Sequence, residues 1–170
     1  MKKEKIIIVN EKDEIITHKD RGMLNDSEDI YRCSALWLIN SNNKILLAKR
    51  SMNKKHNPGK WGPAVAGTND KGETYEQNII KEAKEELGLN NFNLIKGPKL
   101  KEKGKYNHFT QWFITNVDKN INDFNIQEDE VDKIKWFEKQ ELLDRIKENP
   151  DNFLDRIIDW ITMFEKEGVR

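Results

Sequence analysis

GTNDKGETYEQNIIKEAKEELGL, residues 67–89, joins a glycine-containing loop to an amphipathic helix. Thr74 followed three residues later by Gln77 is a capping-box pattern, which predicts a helix that begins at Tyr75. The apolar residues that recur at helical spacing are Ile79, Ile80, Ala83 and Leu87. They predict a stripe that packs against a core. Gly88 then supplies the left-handed residue that ends such a helix.

Three glutamates stand at positions i, i+3 and i+4 of this helix, namely Glu82, Glu85 and Glu86. Like charges at this spacing share one ridge and disfavour the helix unless cations neutralise them. The ammonium of Lys81 can reach one carboxylate but cannot balance three. Carboxylate oxygens are the ligands that Mg²⁺ and Mn²⁺ prefer, so the ridge predicts a site for one of these ions. A solvated acidic helix face is the alternative, and the preceding glycine loop with Glu73 favours the metal site.

The stretch resembles the Nudix box, G-x5-E-x7-R-E-U-x-E-E-x-G-U, in which U is a bulky apolar residue. The matching positions are Gly67, Glu73, Glu82, Glu85, Glu86, Gly88 and Leu89. Two positions depart from the box. Lys81 replaces an arginine that orients the glutamates in the family, and lysine lacks the bidentate fork. Ala83 is smaller than the apolar residue that is common at its position. The resemblance implies an α+β protein, a Nudix-type α/β/α sandwich with a mixed sheet between helices.

Composition limits the class of protein. A length of 170 residues suits one domain, and we expect residues 1–170 to form a single Nudix hydrolase domain. Basic and acidic residues both number 30, so no net charge attracts nucleic acid. The lone cysteine, Cys33, excludes a disulfide framework. The N-terminal apolar run is too short for a signal peptide, and no segment is long enough to span a membrane. These features predict a cytoplasmic protein that binds neither nucleic acid nor membrane.

Strands and helices alternate without a regular βαβ order, which also favours an α+β sandwich. The predicted strands are residues 6–9, 15–16, 33–39, 45–48, 92–95, 107–117 and 131–137. A loop is predicted over residues 23–30. Gly97-Pro98 is predicted to interrupt the chain between the strands at residues 92–95 and 107–117. Residues 138–147 are predicted to be helical. Pro150 is predicted to begin a terminal helix, whose buried face carries Phe153, Ile157, Trp160, Ile161 and Phe164.

A basic segment, KRSMNKKH at residues 49–56, precedes the box. We predict that Arg50 and Lys54 hold a substrate diphosphate whose other face meets the metal ions. A solvated lysine-rich loop is the alternative. His56 is predicted to be a surface residue rather than a metal ligand. The side chains that suit recognition of a nucleobase, or else belong to the core, are Trp61, Tyr106, Phe109 and Trp112.

The chain is also similar in outline, over residues 4–137, to the branch of the family that contains isopentenyl diphosphate isomerase. The similar stretches are EKIIIVNEKDEII, YRCSALWLIN, KILLAKRSMNKKHNPGKW and QEDEVDKIKWF. Those isomerases have a cysteine directly before the box glycine and a metal-binding histidine directly after it, where this chain has Ala66 and Thr68. Their paired glutamates correspond to residues 106–111, which contain no carboxylate. Because alanine cannot transfer a proton, isomerase activity is the less favoured alternative.

The resemblance therefore implies a metal-dependent hydrolase that cleaves a diphosphate linkage in a nucleoside diphosphate derivative or a related small molecule. Mg²⁺ or Mn²⁺ would be held by Glu82, Glu85 and Glu86, and the family implies the Gly67 carbonyl as a further ligand. Water would attack phosphorus. The candidates for the general base are Glu85, Glu86, Glu128 and Glu130. A noncatalytic diphosphate-binding module is another alternative, and hydrophobic strand edges suggest a homodimer.

Overall fold

The structure is a computed structural model that describes residues 5–25 and 27–169. These residues contain nine strands and three α-helices. The strands are β1 (Lys5–Val9), β2 (Ile15–Asp20), β3 (Ile30–Ile39), β4 (Ile45–Arg50), β5 (Trp61–Pro63), β6 (Val65–Thr68), β7 (Ile95–Glu102), β8 (Asn107–Asn116) and β9 (Val131–Phe137). The helices are α1 (Tyr75–Leu87), α2 (Lys139–Glu148) and α3 (Ile157–Lys166). None of the helices in these residues is long and apolar enough to cross a membrane.

The strands make one mixed sheet organised around β3. β3 pairs in parallel with β8 along its whole length, and the other pairings within the sheet are antiparallel. β3 and β4 meet only at Leu38–Leu46 and Ile39–Ile45. Beyond that junction β3 pairs with β6 and β4 pairs with β5 and β9, so the sheet divides into two branches. Gly67 on β6 and Arg50 at the end of β4 therefore lie on different branches, each leading away from the junction.

Helices cover both faces of this sheet. Alternate residues of β3 point to opposite sides, so Leu36 and Leu38 pack with α1, whereas Trp37 packs with α3. The second face also buries Leu142 and Ile146 of α2. This arrangement confirms the predicted α/β/α sandwich with a mixed sheet between helices.

Helix α1 has the predicted ends. The Thr74 hydroxyl accepts from the Gln77 amide and the Gln77 side chain accepts from the Thr74 amide, which completes the capping box. Gly88 ends the helix with φ of 62°. The predicted apolar stripe is buried at Ile79, Ala83 and Leu87. Ile80 is an exception, since half of its surface is exposed on the side of α1 that faces away from the sheet.

Several predicted boundaries were wrong. A strand was predicted at residues 92–95, but β7 begins only at Ile95. It continues through Gly97-Pro98 to Glu102, with a bulge between Lys96 and Lys99. Proline is tolerated there because β7 lies at the sheet edge, where its missing amide costs no ladder bond. Pro150 opens a 3-10 turn, and α3 starts only at Ile157. β2 is longer than predicted, and β5 and β6 were not predicted. The loop predicted at 23–30 ends at residue 29, and position 26 lies outside the described residues.

The predicted terminal apolar face is a core face. Phe153, Ile157, Ile161 and Phe164 are buried, and Trp160 packs against them while partly exposed. Phe164 stacks on Trp37 with ring centroids 4.6 Å apart.

Candidate active site

Gly67 and Glu82 are in close contact where β6 passes α1. A Cβ built at Gly67 would lie 2.5 Å from the Glu82 Cγ and Cδ atoms and 2.6 Å from its Oε1 atom. Only glycine therefore lets the Glu82 carboxylate lie against this backbone. A carboxylate oxygen beside a main-chain carbonyl is a donor set that suits a hard divalent cation.

Glu86 is the most buried carboxylate of the ridge, with 9% of its surface exposed. Burial, together with the negative charges of Glu82 and Glu130, raises the pKa of Glu86 to about 8. The cations of Lys54 and Arg50 act in the opposite direction but do not offset these effects. The pocket around Glu86 is therefore short of positive charge, which a divalent cation would supply.

The three ridge glutamates occupy different environments. Glu82 is half-buried, and burial raises its pKa although the neighbouring Lys81 lowers it. Glu85 is exposed, and its charge adds to the increase in the pKa of Glu82. Within residues 5–25 and 27–169, no group of three or more His, Cys, Asp or Glu side chains is arranged so that it could hold a metal ion. The oxygen chemistry of Glu82 and Glu86 fits Mg²⁺ or Mn²⁺, while Glu85 lies toward solvent.

Arg50 and Lys54, the predicted diphosphate clamp, lie near the carboxylate of Glu86. Lys54 forms an ion pair with Glu130 through its ammonium group. The Arg50 Nε atom donates to the His56 carbonyl at 3.0 Å. Burial lowers the pKa of Arg50, while the carboxylates of Glu86 and Glu130 act against this decrease. Arg50, Lys54, Glu86 and Glu130 are thus close enough to influence one another across the two branches of the sheet.

Backbone hydrogen bonds position Glu130. The Asn125 and Gln127 amides donate to the carbonyls of Leu87 and Glu86 at 3.0 and 3.1 Å, which satisfies groups that the end of α1 leaves unpaired. The Ser51 amide donates to the Glu130 carbonyl at 3.0 Å. The segment before β9 is therefore attached to α1 on one side and to the basic segment on the other. Glu128, the other loop candidate for the base, is exposed.

Lys81 and Asn78 organise the start of the ridge. The Lys81 ammonium lies 2.7 Å from Glu73 Oε1 and 3.5 Å from Glu82 Oε1. The Asn78 side-chain amide donates to Glu73 Oε2 at 3.0 Å, to Glu82 Oε1 at 3.3 Å and to the Thr68 carbonyl at 3.2 Å. Asn78 was not predicted from the sequence as a site residue. Its place four residues before Glu82, on the same face of α1, is the pattern that would have identified it.

The aromatic candidates separate into two groups. Phe109 and Trp112 are buried in the core, and Trp61 packs against it. Tyr106 is half-buried at the start of β8, and its hydroxyl lies 2.6 Å from His56 Nδ1. His56 is therefore half-buried in a hydrogen bond to Tyr106 rather than fully solvated. This contact joins the basic segment to the β7–β8 turn.

The residues at the isomerase positions lie on β6. Ala66 is exposed and pairs with Ala35, and Thr68 pairs with Cys33. Burial raises the pKa of the Cys33 thiol to about 12, so the thiol stays protonated. Two surface grooves, of about 490 and 530 Å³, lie elsewhere, around Trp61 and α2, and contain none of the ridge glutamates.

Residues 31–157 match the NUDIX domain family. The prenyl-diphosphate phosphatase of Methanosarcina mazei is 30% identical over 159 residues, which is 92% of each chain. The isopentenyl-diphosphate Delta-isomerase of Salmonella heidelberg is 30% identical over 95 residues, 52% of this chain and 50% of the isomerase. The similarity to isomerases is thus confirmed, but over about half of each chain.

Solved structures agree on the fold. A crystal structure of a Deinococcus radiodurans protein superposes with a TM-score of 0.74 and 23% identity, over 85% of this chain and 89% of that one. The Nudix domain of Shewanella oneidensis NrtR, crystallised with ADP-ribose, gives a TM-score of 0.63 at 15% identity, over 88% and 93%. At such identities the likeness concerns the fold alone. The family match over residues 31–157 and the 30% identity to the Methanosarcina mazei relative show that the chain belongs to the Nudix family of pyrophosphohydrolases.

Proposed function

We propose that the protein hydrolyses a diphosphate linkage in a small molecule, with Mg²⁺ or Mn²⁺ as the cofactor. The observation that carries this proposal is that acidic and basic side chains lie close together around the buried carboxylate of Glu86. Glu86 and Glu82 lack sufficient positive charge, whereas Arg50 and Lys54 offer cations to an anion. A divalent ion and a diphosphate would complete both halves of the site.

In this proposal Glu82 and Glu86 hold the ion together with the Gly67 carbonyl, and Glu85 supplies a further carboxylate from the solvent side. A divalent ion would neutralise the diphosphate oxygens and make water more acidic. Arg50 and Lys54 would bind the phosphate oxygens on the opposite side. The chain thus orients the phosphorus between fixed anions and fixed cations.

Glu130 is our proposed general base, with Glu85 and Glu86 as the other candidates. Glu130 forms an ion pair with Lys54 in the structure. A diphosphate that binds Lys54 would compete for its ammonium group and leave the Glu130 carboxylate able to accept a proton from water. The backbone bonds that hold Glu130 beside Glu86 support this role, because a base must lie within reach of the attacking water.

Prenyl diphosphates are the substrate class that we place before nucleoside diphosphate derivatives. The Methanosarcina mazei relative that is similar over 92% of both chains is a prenyl-diphosphate phosphatase. The Salmonella relative is named for isopentenyl diphosphate. An isomerase reaction is not part of this proposal, because Ala66 stands where proton transfer would need a cysteine.

The test is a panel of prenyl diphosphates and nucleoside diphosphate derivatives, incubated with Mn²⁺, with Mg²⁺ or with a chelator. We expect metal-dependent release of inorganic phosphate from a prenyl diphosphate and no conversion of isopentenyl to dimethylallyl diphosphate. Cleavage of a nucleoside diphosphate derivative gives two phosphate monoesters instead of inorganic phosphate, so those products are followed by chromatography. Saturable binding of diphosphates without any hydrolysis would instead identify a binding module. Faster cleavage of the nucleoside derivatives would overturn the substrate class but not the hydrolysis. The cytoplasmic location, the homodimer and the absence of nucleic-acid or membrane binding stay predictions from the sequence.

A further inference from the structure

The Lys81 ammonium is surrounded by three carboxylates. It lies 2.7 Å from Glu73 Oε1, 3.2 Å from Asp70 Oδ2 and 3.5 Å from Glu82 Oε1. The first two distances are those of hydrogen bonds, whereas the third is an ion pair without a hydrogen bond. Lys81 is thus attached to the loop before α1 and only approaches the metal-binding ridge.

Asp70 is held rigidly for this contact. Its amide donates to Glu73 Oε2 at 2.9 Å, and its carbonyl accepts from the Glu73 amide at 3.0 Å. It also forms a β-bridge with Ile6. The Asp70 side chain is 23% exposed, and its second oxygen, Oδ1, is buried with an Arg21 nitrogen 3.9 Å away. Asp70 and Glu73 therefore form a preformed pair of acceptors for one ammonium.

We propose that Asp70 is a positioning residue, which holds the Lys81 ammonium away from Glu82 so that the Glu82 oxygens can bind the metal ion. An ammonium has three donors on a flexible stem and follows the nearest carboxylate, since it lacks the fixed geometry of a guanidinium. Without Asp70, the freed donor would turn to Glu82 Oε1, which is already within 3.5 Å. Lys81 would then compete with the cation. This inference rests on the proposed metal-binding role of Glu82.

The same geometry explains how lysine can replace the arginine of the Nudix box. The planar guanidinium can bind one carboxylate with two parallel hydrogen bonds, so an arginine could be held by Glu73 alone. Lysine has no such fork and needs a second acceptor, which Asp70 provides. Asp70 occupies a position of the box at which no residue type is specified.

The experiment is a double-mutant cycle of Asp70→Asn and Lys81→Arg, measured as the Mn²⁺ dissociation constant of the otherwise metal-free protein by electron paramagnetic resonance. We expect Asp70→Asn alone to weaken Mn²⁺ binding about 10-fold, as loss of outer-shell partners commonly does. In the Lys81→Arg background the same change should have less than about a 2-fold effect, because the fork restores the restraint. The substrate KM at saturating Mn²⁺ should not change.

Asp29→Asn is the matched control, since it also removes a carboxylate that binds a lysine, with Asp29 Oδ1 2.7 Å from Lys19 Nζ. It should leave Mn²⁺ binding unchanged. Equal Mn²⁺ affinity of Asp70→Asn and the wild type, or an equal loss in both backgrounds, would overturn the role of Asp70. If Asp70→Asn does not fold, Asp70→Ser is measured in the same way. A wild type that binds no Mn²⁺ would overturn the proposed function as well. If the wild type binds Mn²⁺ and hydrolyses the substrate, a negative result with the Asp70 variants would overturn the role of Asp70 alone.

Discussion

Two carboxylates of this protein respond in opposite ways to their surroundings. Asp13, in the β1–β2 turn, is a half-buried residue whose side chain is 7% exposed, whereas Glu86 is buried, with 9% of the whole residue exposed. Burial would raise the pKa of Asp13, but hydrogen bonds from Lys99, Arg32 and Tyr75 lower it overall. At Glu86 burial is reinforced by other carboxylates, and the pKa rises to about 8.

The difference lies in the number of donors that reach each oxygen. Asp13 Oδ1 accepts from Arg32 Nε at 2.7 Å and from the Tyr75 hydroxyl at 3.0 Å, and Asp13 Oδ2 accepts from Lys99 at 2.6 Å. No hydrogen bond to the Glu86 carboxylate is found among the described residues. A carboxylate that joins three elements stabilises the fold, whereas one that lacks donors is prepared for a ligand.

Glu86→Gln should give the largest effect on activity. The change keeps the shape of the side chain but removes a proposed metal ligand, and loss of outer-shell partners alone already costs about 10- to 100-fold. We therefore expect metal-dependent phosphate release to fall by more than about 100-fold. The measurement is kcat with saturating Mn²⁺. The metal-free variant should unfold at the same temperature as the wild type or higher, because at pH 7 the wild type must take up a proton at the buried Glu86 to fold, and glutamine does not. Full activity would remove Glu86 from the mechanism.

Asp13→Asn should act in the opposite way, on stability rather than on catalysis. Asparagine tolerates the φ of 63° at this position, so the variant tests the charge alone. We expect the free energy of unfolding to fall by about 2 kcal/mol, since Arg32 and Lys99 lose a buried partner. Urea unfolding measures this loss. The kcat of the folded variant should not change, and a large decrease in kcat would contradict the comparison.

Asp132→Asn is the control for Asp13→Asn. The Asp132 carboxylate is exposed and lies 3.3 Å from the half-buried Lys49, so its loss should change the free energy of unfolding by less than about 0.5 kcal/mol. The pH dependence gives a second check. Because the folded pKa of Asp13 is lowered, its contribution is present above the unfolded value of 3.8 and is lost as the pH falls through the folded value. The stabilities of the Asp13→Asn variant and the wild type should therefore converge in acid.

The two regions also differ in how well the sequence predicts them. The caps of α1 and the spacing of Glu82 and Glu86 are local, so the residues themselves indicate them. The Asp13 cluster joins a turn to β3, α1 and β7, and such contacts between distant segments leave no periodic pattern. The same reason explains why β5 and β6, whose short segments form strands only by pairing with β4 and β3, were not predicted. Lys54 and Glu130 were predicted from the sequence as site residues, but the ion pair between them was not predicted.

Lys54→Gln should have a smaller effect than the first two changes. Lys54 lies in the cluster around Glu86, so its loss should weaken substrate binding rather than folding. We expect the KM for the diphosphate to rise about 10-fold, which corresponds to one charged hydrogen bond. Lys55→Gln is the matched control, because Lys55 is the exposed neighbour in the same segment and should leave KM unchanged. An equal increase in KM for both variants would mean that the segment acts only through its net charge.

Proton release on metal binding is the smallest expected effect, amounting to less than one proton. Glu86, with a pKa of about 8, is mostly protonated at pH 7 in the metal-free protein and must ionise to bind a cation. Titration calorimetry with Mn²⁺ in two buffers of different ionisation enthalpy measures the release. It should decrease as the pH rises above 8, whereas apparent Mn²⁺ affinity should increase until that pH. The raised pKa also means that the metal-free protein loses stability as the pH rises from the unfolded value of 4.5 toward 8, opposite to the trend that Asp13 causes. Glu86→Gln should release no proton from this group, and an unchanged release would assign it to another carboxylate.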